Sequence, residues 1–217
     1  MVSVTTGLRH PSWSGSVTNG ADIAVMKLSS SLSNRVAALN MAGTSPADGN
    51  NLFIAGFGLV DDNSLSQNLR GLFLDYVSSC ASRIDSYNSA YHVCGDATPD
   101  AGTCAGDSGS PVFLTGTDTI VGLNSYSDNS CESQNIDVYT RVSTYASWVS
   151  QQVCSLSSDP PASCSTSGGG INVPPADGGD SGGDDSGGGN DDSGNDDGDG
   201  CWFWPFDFGR SWLFGDV

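Results

Sequence analysis

The chain has 217 residues, with 25 Asp and Glu against 7 Lys and Arg, which gives a formal net charge of −18 at pH 7. A protein this acidic is repelled by phosphate backbones and anionic lipid headgroups, so the composition argues against binding to nucleic acid or to an anionic membrane. The sequence contains no apolar run of about eighteen residues, the length typical of a transmembrane helix.

Seven cysteines in a chain of this composition indicate disulfide bonds, and therefore a secreted, extracellular protein. The N-terminal residues, Met1–Gly7, have neither the basic region nor the long apolar region of a signal peptide. Disulfides without a signal peptide predict that the true start lies further upstream. We therefore expect the chain to be incomplete at its N-terminus.

Short strand-like runs recur along the first 164 residues, separated by turns rich in Gly, Asn, Asp and Ser. These runs are Ile23–Leu28, Leu52–Phe57, Leu69–Val77, Pro111–Leu114 and Ile120–Leu123. The last two flank Thr115–Thr119, which predicts a hairpin. One helix is predicted after Ser143, from apolar residues near helical spacing: Tyr145, Trp148, Val149 and Val153. Many short strands with a single helix predict an all-β barrel or sandwich.

The composition changes sharply after residue 164. Residues 165–200 are almost entirely Gly, Ser, Asp, Asn and Pro, and residues 177–200 contain nine Asp and no basic residue. Such a segment is too polar to bury a core, which predicts a disordered, self-repelling linker. Residues 201–217 then hold seven aromatic residues. They indicate docking to a partner, a polysaccharide or a membrane interface, or else a tail that folds back onto its own domain or is disordered.

The predicted organisation therefore has four parts. The main domain covers residues 1–154, and a Pro-, Ser- and Cys-containing extension covers residues 155–176. The acidic linker occupies residues 177–200, and the aromatic tail occupies residues 201–217.

The most specific motif is the run Gly102–Pro111, Gly-Thr-Cys-Ala-Gly-Asp-Ser-Gly-Ser-Pro. It resembles the nucleophile loop of the trypsin/chymotrypsin-like serine endopeptidases, peptidase family S1. Five further motifs resemble that family in the same order: His10–Trp13, Asn19–Leu28, Ala55–Gly58, Ser125–Ser127 and Val138–Val142. A single match of this kind is weak, but six in order are specific. The resemblance implies a trypsin-like double β-barrel in which the second barrel and a C-terminal helix are present and the first barrel is mostly missing.

The resemblance also implies a site that cleaves protein or peptide substrates. Ser108 would attack the peptide carbonyl, and the amides of Gly106 and Ser108 would hold the oxyanion. Asp22 would orient the catalytic histidine, although an Asp at this position also fits an ordinary turn or a helix cap. Asp107 would pair with the new N-terminal ammonium that activation cleavage produces.

The base of this triad is missing from the sequence. Only two histidines are present; His10 is expected in a surface loop and His92 on a strand, partly exposed. The family's catalytic histidine lies upstream of every motif found here. Because a serine hydroxyl is a poor nucleophile without a base, the chain as given should be nearly inactive.

Two other classes of function compete with the enzyme. One is a non-catalytic protease homologue that binds peptides or partners through its pocket and tail. The other is an Asp-rich adhesive or mineral-binding protein that uses the protease domain as a scaffold. The joint presence of Asp22, Asp107 and Ser108 favours the enzyme, because a binding module has no need of that set.

By resemblance, five residues line the substrate pocket: Gly102, Ser125, Tyr126, Ser127 and Asp137. Trypsins carry a pocket-base Asp where this chain has Gly102. Asp137 stands instead at a pocket-wall position that is normally Gly, an arrangement resembling crab collagenolytic serine proteases. Its carboxylate either enters the pocket and selects basic P1 residues, or turns to solvent to avoid desolvation. Ser127, where Gly is usual, would narrow the pocket entrance.

The resemblance implies two disulfide bonds: Cys80–Cys94 and Cys104–Cys131. The second would tie the nucleophile loop to the pocket wall. Cys154 and Cys164 flank a short Pro-containing segment and are expected to pair, although spacing alone does not fix connectivity. Cys201 is left over and either pairs with an upstream cysteine, dimerises the protein or belongs to a tail module. No cofactor or metal is predicted, since the Asp-rich linker lacks the ligand spacing of an EF-hand.

Overall fold

The computed structural model describes residues 2–32, 37–43, 45–49, 51–60, 64–97, 101–127, 131, 136–160 and 164. The predictions for the acidic linker, the aromatic tail and Cys201 lie outside the described residues. The division into four parts therefore stays a prediction.

Short strands dominate the described part of the chain. They are β1 (Val4–Arg9), β2 (Ala24–Leu28), β3 (Ala38–Leu39), β4 (Asn51–Gly56), β5 (Arg70–Val77), β6 (His92–Ala97), β7 (Pro111–Leu114), β8 (Thr119–Ser127) and β9 (Ile136–Arg141). The helical segments are two 3₁₀ turns, Val17–Asn19 and Val142–Tyr145, and the helix α1 (Ala146–Leu156). No helix among these residues is long and apolar enough to cross a membrane.

Six of the strands close into a barrel. Their order is β8-β7-β4-β5-β6-β9, and pairing between β8 and β9 closes the ring. The predicted hairpin is present, since β7 and β8 run antiparallel with Pro111 opposite Leu123. The predicted fold class is confirmed: the described part of the chain is mostly β, with a closed six-stranded barrel and one C-terminal helix.

The interior of the barrel is filled by side chains that alternate along its strands. On β4, Leu52 and Ile54 are buried, while Phe53 between them lies on the outer face. The inner residues of β5, β6, β7 and β9 join them in one core cluster, which includes Leu74, Val93, Val112 and Tyr139. A closed barrel has no free strand edge, so this core is covered on all sides by hydrogen-bonded backbone.

A second apolar cluster joins β2 and the residues just before it to the C-terminal helix. Ile23 and Val25 pack against Tyr145 and Val149. The predicted helix is therefore present, and its apolar side rests on β2. This contact positions the segment that immediately precedes β2, where Asp22 lies.

The structure contains three disulfide bonds, and they are the pairs expected from the sequence: Cys80–Cys94, Cys104–Cys131 and Cys154–Cys164. Cys104–Cys131 connects the loop before β7 to the segment between β8 and β9. The amide of Cys131 also donates a hydrogen bond to the carbonyl of Thr103, at 3.0 Å. The loop that carries Ser108 is thus anchored at its start by a covalent bond and a backbone hydrogen bond.

Candidate active site

Ser108 lies on a tight turn just before β7, and its side chain is exposed. Gly106 and Gly109 on either side have φ angles of 95° and 79°, which residues with a Cβ rarely adopt. The amide of Ser110 donates to the carbonyl of Asp107 at 3.0 Å and so closes the turn. The result is a serine hydroxyl held at the outside of a rigid loop.

The amides of Gly106 and Ser108 are the candidates for an oxyanion hole. They have no acceptor in the described part of the chain. Neither the N–H of Gly106 nor that of Ser108 donates a hydrogen bond there. Fixed backbone donors of this kind stabilise negative charge that develops on a reacting oxygen.

Asp107, beside the nucleophile candidate, turns away from solvent and is held by backbone amides. Its carboxylate accepts hydrogen bonds from the amide of Gly58, at 2.8 Å, and from the amide of Cys104, at 3.0 Å. A Cβ on Gly58 would lie 2.4 Å from a carboxylate oxygen, so only glycine allows this approach. Burial raises the pKa of Asp107, and the two amide hydrogen bonds act against that rise.

Asp22 is fixed by residues of β8 and β9 that are distant in sequence. The hydroxyl of Ser125 donates to Oδ2 of Asp22 at 2.7 Å. The hydroxyl of Thr140 donates to the backbone carbonyl of Asp22 at 2.9 Å. Preceding Asp22, Ala21 has a φ of 60° and donates its amide to the Tyr145 hydroxyl. A capping aspartate would bond to a neighbouring amide, so this geometry differs from that of a helix cap.

Strand β8 connects the Ser108 turn to Asp22. The amide of Gly109 donates to the carbonyl of Asn124 at 2.8 Å, and the amide of Asn124 donates to the carbonyl of Ser110 at 2.8 Å. The next residue along β8 is Ser125, whose hydroxyl holds Asp22. Two adjacent residues of one strand therefore bind the nucleophile turn and the carboxylate.

Neither histidine is arranged as a base for Ser108. The His10 ring packs edge-on against Tyr145 and Trp148, with centroid distances of 5.0 and 4.8 Å. His92 is only 1% exposed, and Asn88 donates its amide to Nδ1 at 3.2 Å. Neither ring forms a hydrogen bond with Ser108 in the described structure.

The expectation that His92 is partly exposed is wrong. His92 begins β6, and its ring meets the Tyr126 ring of β8 edge-on, with the centroids 5.5 Å apart. The sequence did not show that the side chain points inward, because the direction of a strand's first residue depends on its register with neighbouring strands.

Asp137 is buried rather than turned to solvent. It lies on β9 with an exposed fraction of 0%, opposite Ser127 of β8. The hydroxyl of Thr103, which precedes the disulfide cysteine of the Ser108 loop, donates to Oδ1 of Asp137 at 2.7 Å. Burial and the nearby carboxylate of Asp137 both raise the pKa of Tyr139. The carboxylate is thus attached to the loop that carries Gly102.

The remaining pocket candidates lie half-buried along one strand or at its neighbouring loop. Ser125, Tyr126 and Ser127 are consecutive on β8, and Gly102 precedes Thr103. The Tyr126 ring packs edge-on against the His92 ring, and its hydroxyl accepts a hydrogen bond from the Ser86 hydroxyl. In the part of the chain that the structure describes, no three His, Cys, Asp or Glu residues are grouped as metal ligands.

The burial of His92 predicts an acid-sensitive fold. Burial lowers the pKa of His92 below 6.5, the charge of Arg141 acts in the same direction, and the carbonyl of Val17 and the charge of Asp22 oppose it. The unfolded chain then binds the proton more readily, so the free energy of unfolding should be largest above about pH 7 and fall as the pH drops through about 6.5.

Urea denaturation at pH 7.5 and pH 5.5 measures this effect. The loss of stability at pH 5.5 should be smaller in His92→Met than in the wild type. His10→Gln is the matched control, because burial also lowers the pKa of His10 and its contribution must be separated. An equal pH dependence in the wild type and His92→Met would contradict the assignment to His92.

Comparison with known proteins identifies the class of this chain. The family model named Trypsin matches residues 2–149, and the chain belongs to that family of serine proteases. Rat chymotrypsin-like elastase family member 1 is 36% identical over 166 residues, covering 70% of this chain and 62% of the relative. Trypsin iota of Drosophila melanogaster is 32% identical, covering 59% of this chain and 53% of the relative. Pig trypsin is 30% identical, covering 67% and 65% respectively.

A solved structure shares the fold. Mouse neuropsin, a serine protease expressed in the limbic system of the brain, superposes with a TM-score of 0.61. The match covers 70% of this chain and 71% of neuropsin, at 21% sequence identity. Among the curated relatives, the chain spans less than two thirds of the length of the rat and Drosophila proteins.

Proposed function

We propose that this chain carries the nucleophile, the orienting carboxylate and the substrate pocket of a secreted serine endopeptidase. The observation that carries the proposal is the connection through β8, where Asn124 binds the Ser108 turn and Ser125 binds Asp22. Family membership supports it, and so do the disulfides, which are typical of extracellular proteins.

In the proposed reaction, Ser108 Oγ attacks the carbonyl carbon of a peptide bond. A histidine imidazole takes the hydroxyl proton and later gives it to the departing amine, while the amides of Gly106 and Ser108 stabilise the oxyanion. Water then attacks the acyl-enzyme by the reverse sequence of proton transfers and releases the acid. Asp22 accepts a hydrogen bond from the imidazole Nδ1–H and so fixes the tautomer.

The histidine of this reaction would come from outside the 217 residues. His10 and His92 are both engaged elsewhere, His10 against aromatic rings and His92 in the interior. Without a base, an otherwise intact site keeps only the effects of substrate binding and oxyanion stabilisation. The 217-residue chain by itself is therefore expected to be almost inactive.

Asp107 is proposed to receive an N-terminal ammonium after activation cleavage. Its carboxylate is half-buried and accepts two amide hydrogen bonds, yet burial still raises its pKa. A cation at this carboxylate would offset the desolvation of the charge. The pairing would also hold the adjacent Gly106–Ser108 turn in position.

The substrate preference is proposed to be for Lys or Arg at P1. Asp137 supplies a fully buried carboxylate next to Thr103 and Gly102. A buried carboxylate is costly unless a cation or hydrogen bonds compensate it. A lysine or arginine side chain in the pocket would add a cation to the hydrogen bond that Thr103 already donates.

A fluorophosphonate probe, which reacts with activated serines, tests the proposed function. We expect rapid labelling of Ser108 in protein expressed with its native sequence upstream of Met1, and almost none in the 217-residue chain, because only the former would contain the base. Peptide mass mapping locates the label, and Ser108→Ala is the control. Upstream sequence that supplies no histidine, or a longer protein that folds but resists the probe, would contradict the proposal and favour a non-catalytic homologue.

A further inference from the structure

We propose that the aromatic tail, residues 201–217, docks on its own domain at a stripe of three phenylalanines outside the barrel. The phenylalanine stripe consists of Phe73 on β5, Phe53 on β4 and Phe113 on β7. The register places Phe53 directly opposite Phe73 on one side and Phe113 on the other. The three residues therefore form one row across neighbouring strands.

The stripe lies on the outer face of the barrel, where Phe73 is exposed and Phe53 and Phe113 are half-buried. Residues adjacent to these phenylalanines along their strands, such as Leu52, Leu74 and Val112, fill the barrel interior, so the phenylalanines point the other way. Phe73 is 56% exposed, the highest value among the exposed large hydrophobic side chains of the described residues. Apolar surface of this kind is typical of an interaction site.

Two rings of the stripe, those of Phe53 and Phe73, pack against each other. The rings of Phe53 and Phe73 are 5.1 Å apart at their centroids. A Cβ on Gly71 would lie 2.6 Å from the Phe53 ring, so this ring lies across β5 where the side chain is missing. Aromatic rings arranged in this way offer both faces and edges to further aromatic groups.

The proposed occupant of the stripe is the aromatic tail, which follows the domain in the sequence. The tail carries seven aromatic residues between positions 202 and 214, the type of side chain that the stripe binds best. It follows the last described residue, Cys164, after the 36 residues 165–200. A Gly-rich segment of that length has a root-mean-square span of about 30–36 Å. A domain of this size is about 40 Å across, so the tail reaches the stripe.

Charge indicates that the contact is apolar rather than electrostatic. Residues 1–164 carry 14 Asp and Glu against 6 Lys and Arg, and residues 165–200 carry nine Asp and no basic residue. The linker and the domain repel each other, whereas the tail has two Asp and one Arg. Salt screens that repulsion and does not weaken an apolar contact. Docking should therefore strengthen as the salt concentration rises.

Hydrogen–deuterium exchange on protein that carries its native sequence upstream of Met1 tests the proposal. Amides of residues 201–217 should exchange about tenfold more slowly in the wild type than in Phe73→Ser, with further slowing between 50 mM and 500 mM NaCl. Phe73→Tyr keeps the aromatic ring and should keep the protection. Trp204→Ser, which leaves the barrel unchanged, should lose it.

Three results would overturn the proposal. The tail could exchange equally fast in the wild type and in Phe73→Ser, or protection could disappear as salt is added. Protection that increases with protein concentration would show that the tail binds a second copy. Unchanged exchange in β4, β5 and β7 serves as the check that Phe73→Ser is folded.

Discussion

Asp22→Asn is expected to lower kcat/KM for peptide hydrolysis by about 10⁴-fold in protein that carries its native upstream sequence. Asparagine keeps the size of the side chain but lacks the negative charge that accepts the hydrogen bond from the imidazole Nδ1–H. The base would then be held in the wrong tautomer. The hydroxyl of Ser125, which donates to Asp22 at 2.7 Å, can still bond to the amide oxygen, so the fold should remain intact.

Ser125→Ala is the matched control for Asp22→Asn. It removes one hydrogen bond to the carboxylate but keeps the charge, so a loss of about tenfold, equivalent to about 1.4 kcal/mol, is expected. Equal effects of the two variants would show that the loss comes from local disorder. A folded Asp22→Asn enzyme within tenfold of the wild type would remove Asp22 from the triad.

Asp137→Ser is expected to lower kcat/KM for substrates with Arg or Lys at P1 by about 10²- to 10³-fold, because a buried charge pair loses one partner. Serine is small and can still accept the hydrogen bond from Thr103. Substrates with small apolar P1 residues should lose much less. The ratio of the two kcat/KM values is the measurement, since it is insensitive to a general loss of active enzyme.

Thr103→Val separates the carboxylate from its hydrogen-bond partner. It keeps the Asp137 carboxyl group but removes the 2.7 Å hydrogen bond to Oδ1, so the preference for basic P1 residues should be kept. An unchanged P1 preference in Asp137→Ser would place Asp137 outside the pocket. Benzamidine, an aryl amidine that mimics arginine, gives an independent readout. Its binding should be weakened in Asp137→Ser and retained in Thr103→Val.

Short apolar runs bounded by turn residues predicted an all-β barrel or sandwich, and the family resemblance selected the barrel. The β7–β8 hairpin and the terminal helix followed from local patterns alone. Strand β1, Val4–Arg9, lacks a strong apolar alternation, and β3 has only two residues, Ala38 and Leu39. Both are stabilised by pairing with distant strands, β1 with β2 and β3 with β8, and local sequence does not contain that information.

The candidate site also combines a motif that local sequence reveals with contacts that depend on distant strands. Ser108 could be predicted as the nucleophile because its motif is contiguous in sequence and resembles the family's nucleophile loop. The link from Asp22 to Ser125 joins residues 103 positions apart, and the burial of His92 and Asp137 depends on how β6, β8 and β9 pair. The sequence left Asp137 with two possible directions, because strand register decides which face a side chain occupies.

The most direct test of the proposed function is peptide-bond hydrolysis by protein that carries its native upstream sequence, compared with its Ser108→Ala variant. Ser108→Ala removes the attacking oxygen, and a decrease in kcat of at least about 10³-fold is expected, with an unchanged melting temperature. A Ser108→Ala variant that hydrolyses the substrate as fast as the wild type would contradict the assignment of Ser108 as the nucleophile. Absence of hydrolysis in both proteins, with peptide binding retained, would assign the chain to the non-catalytic homologues.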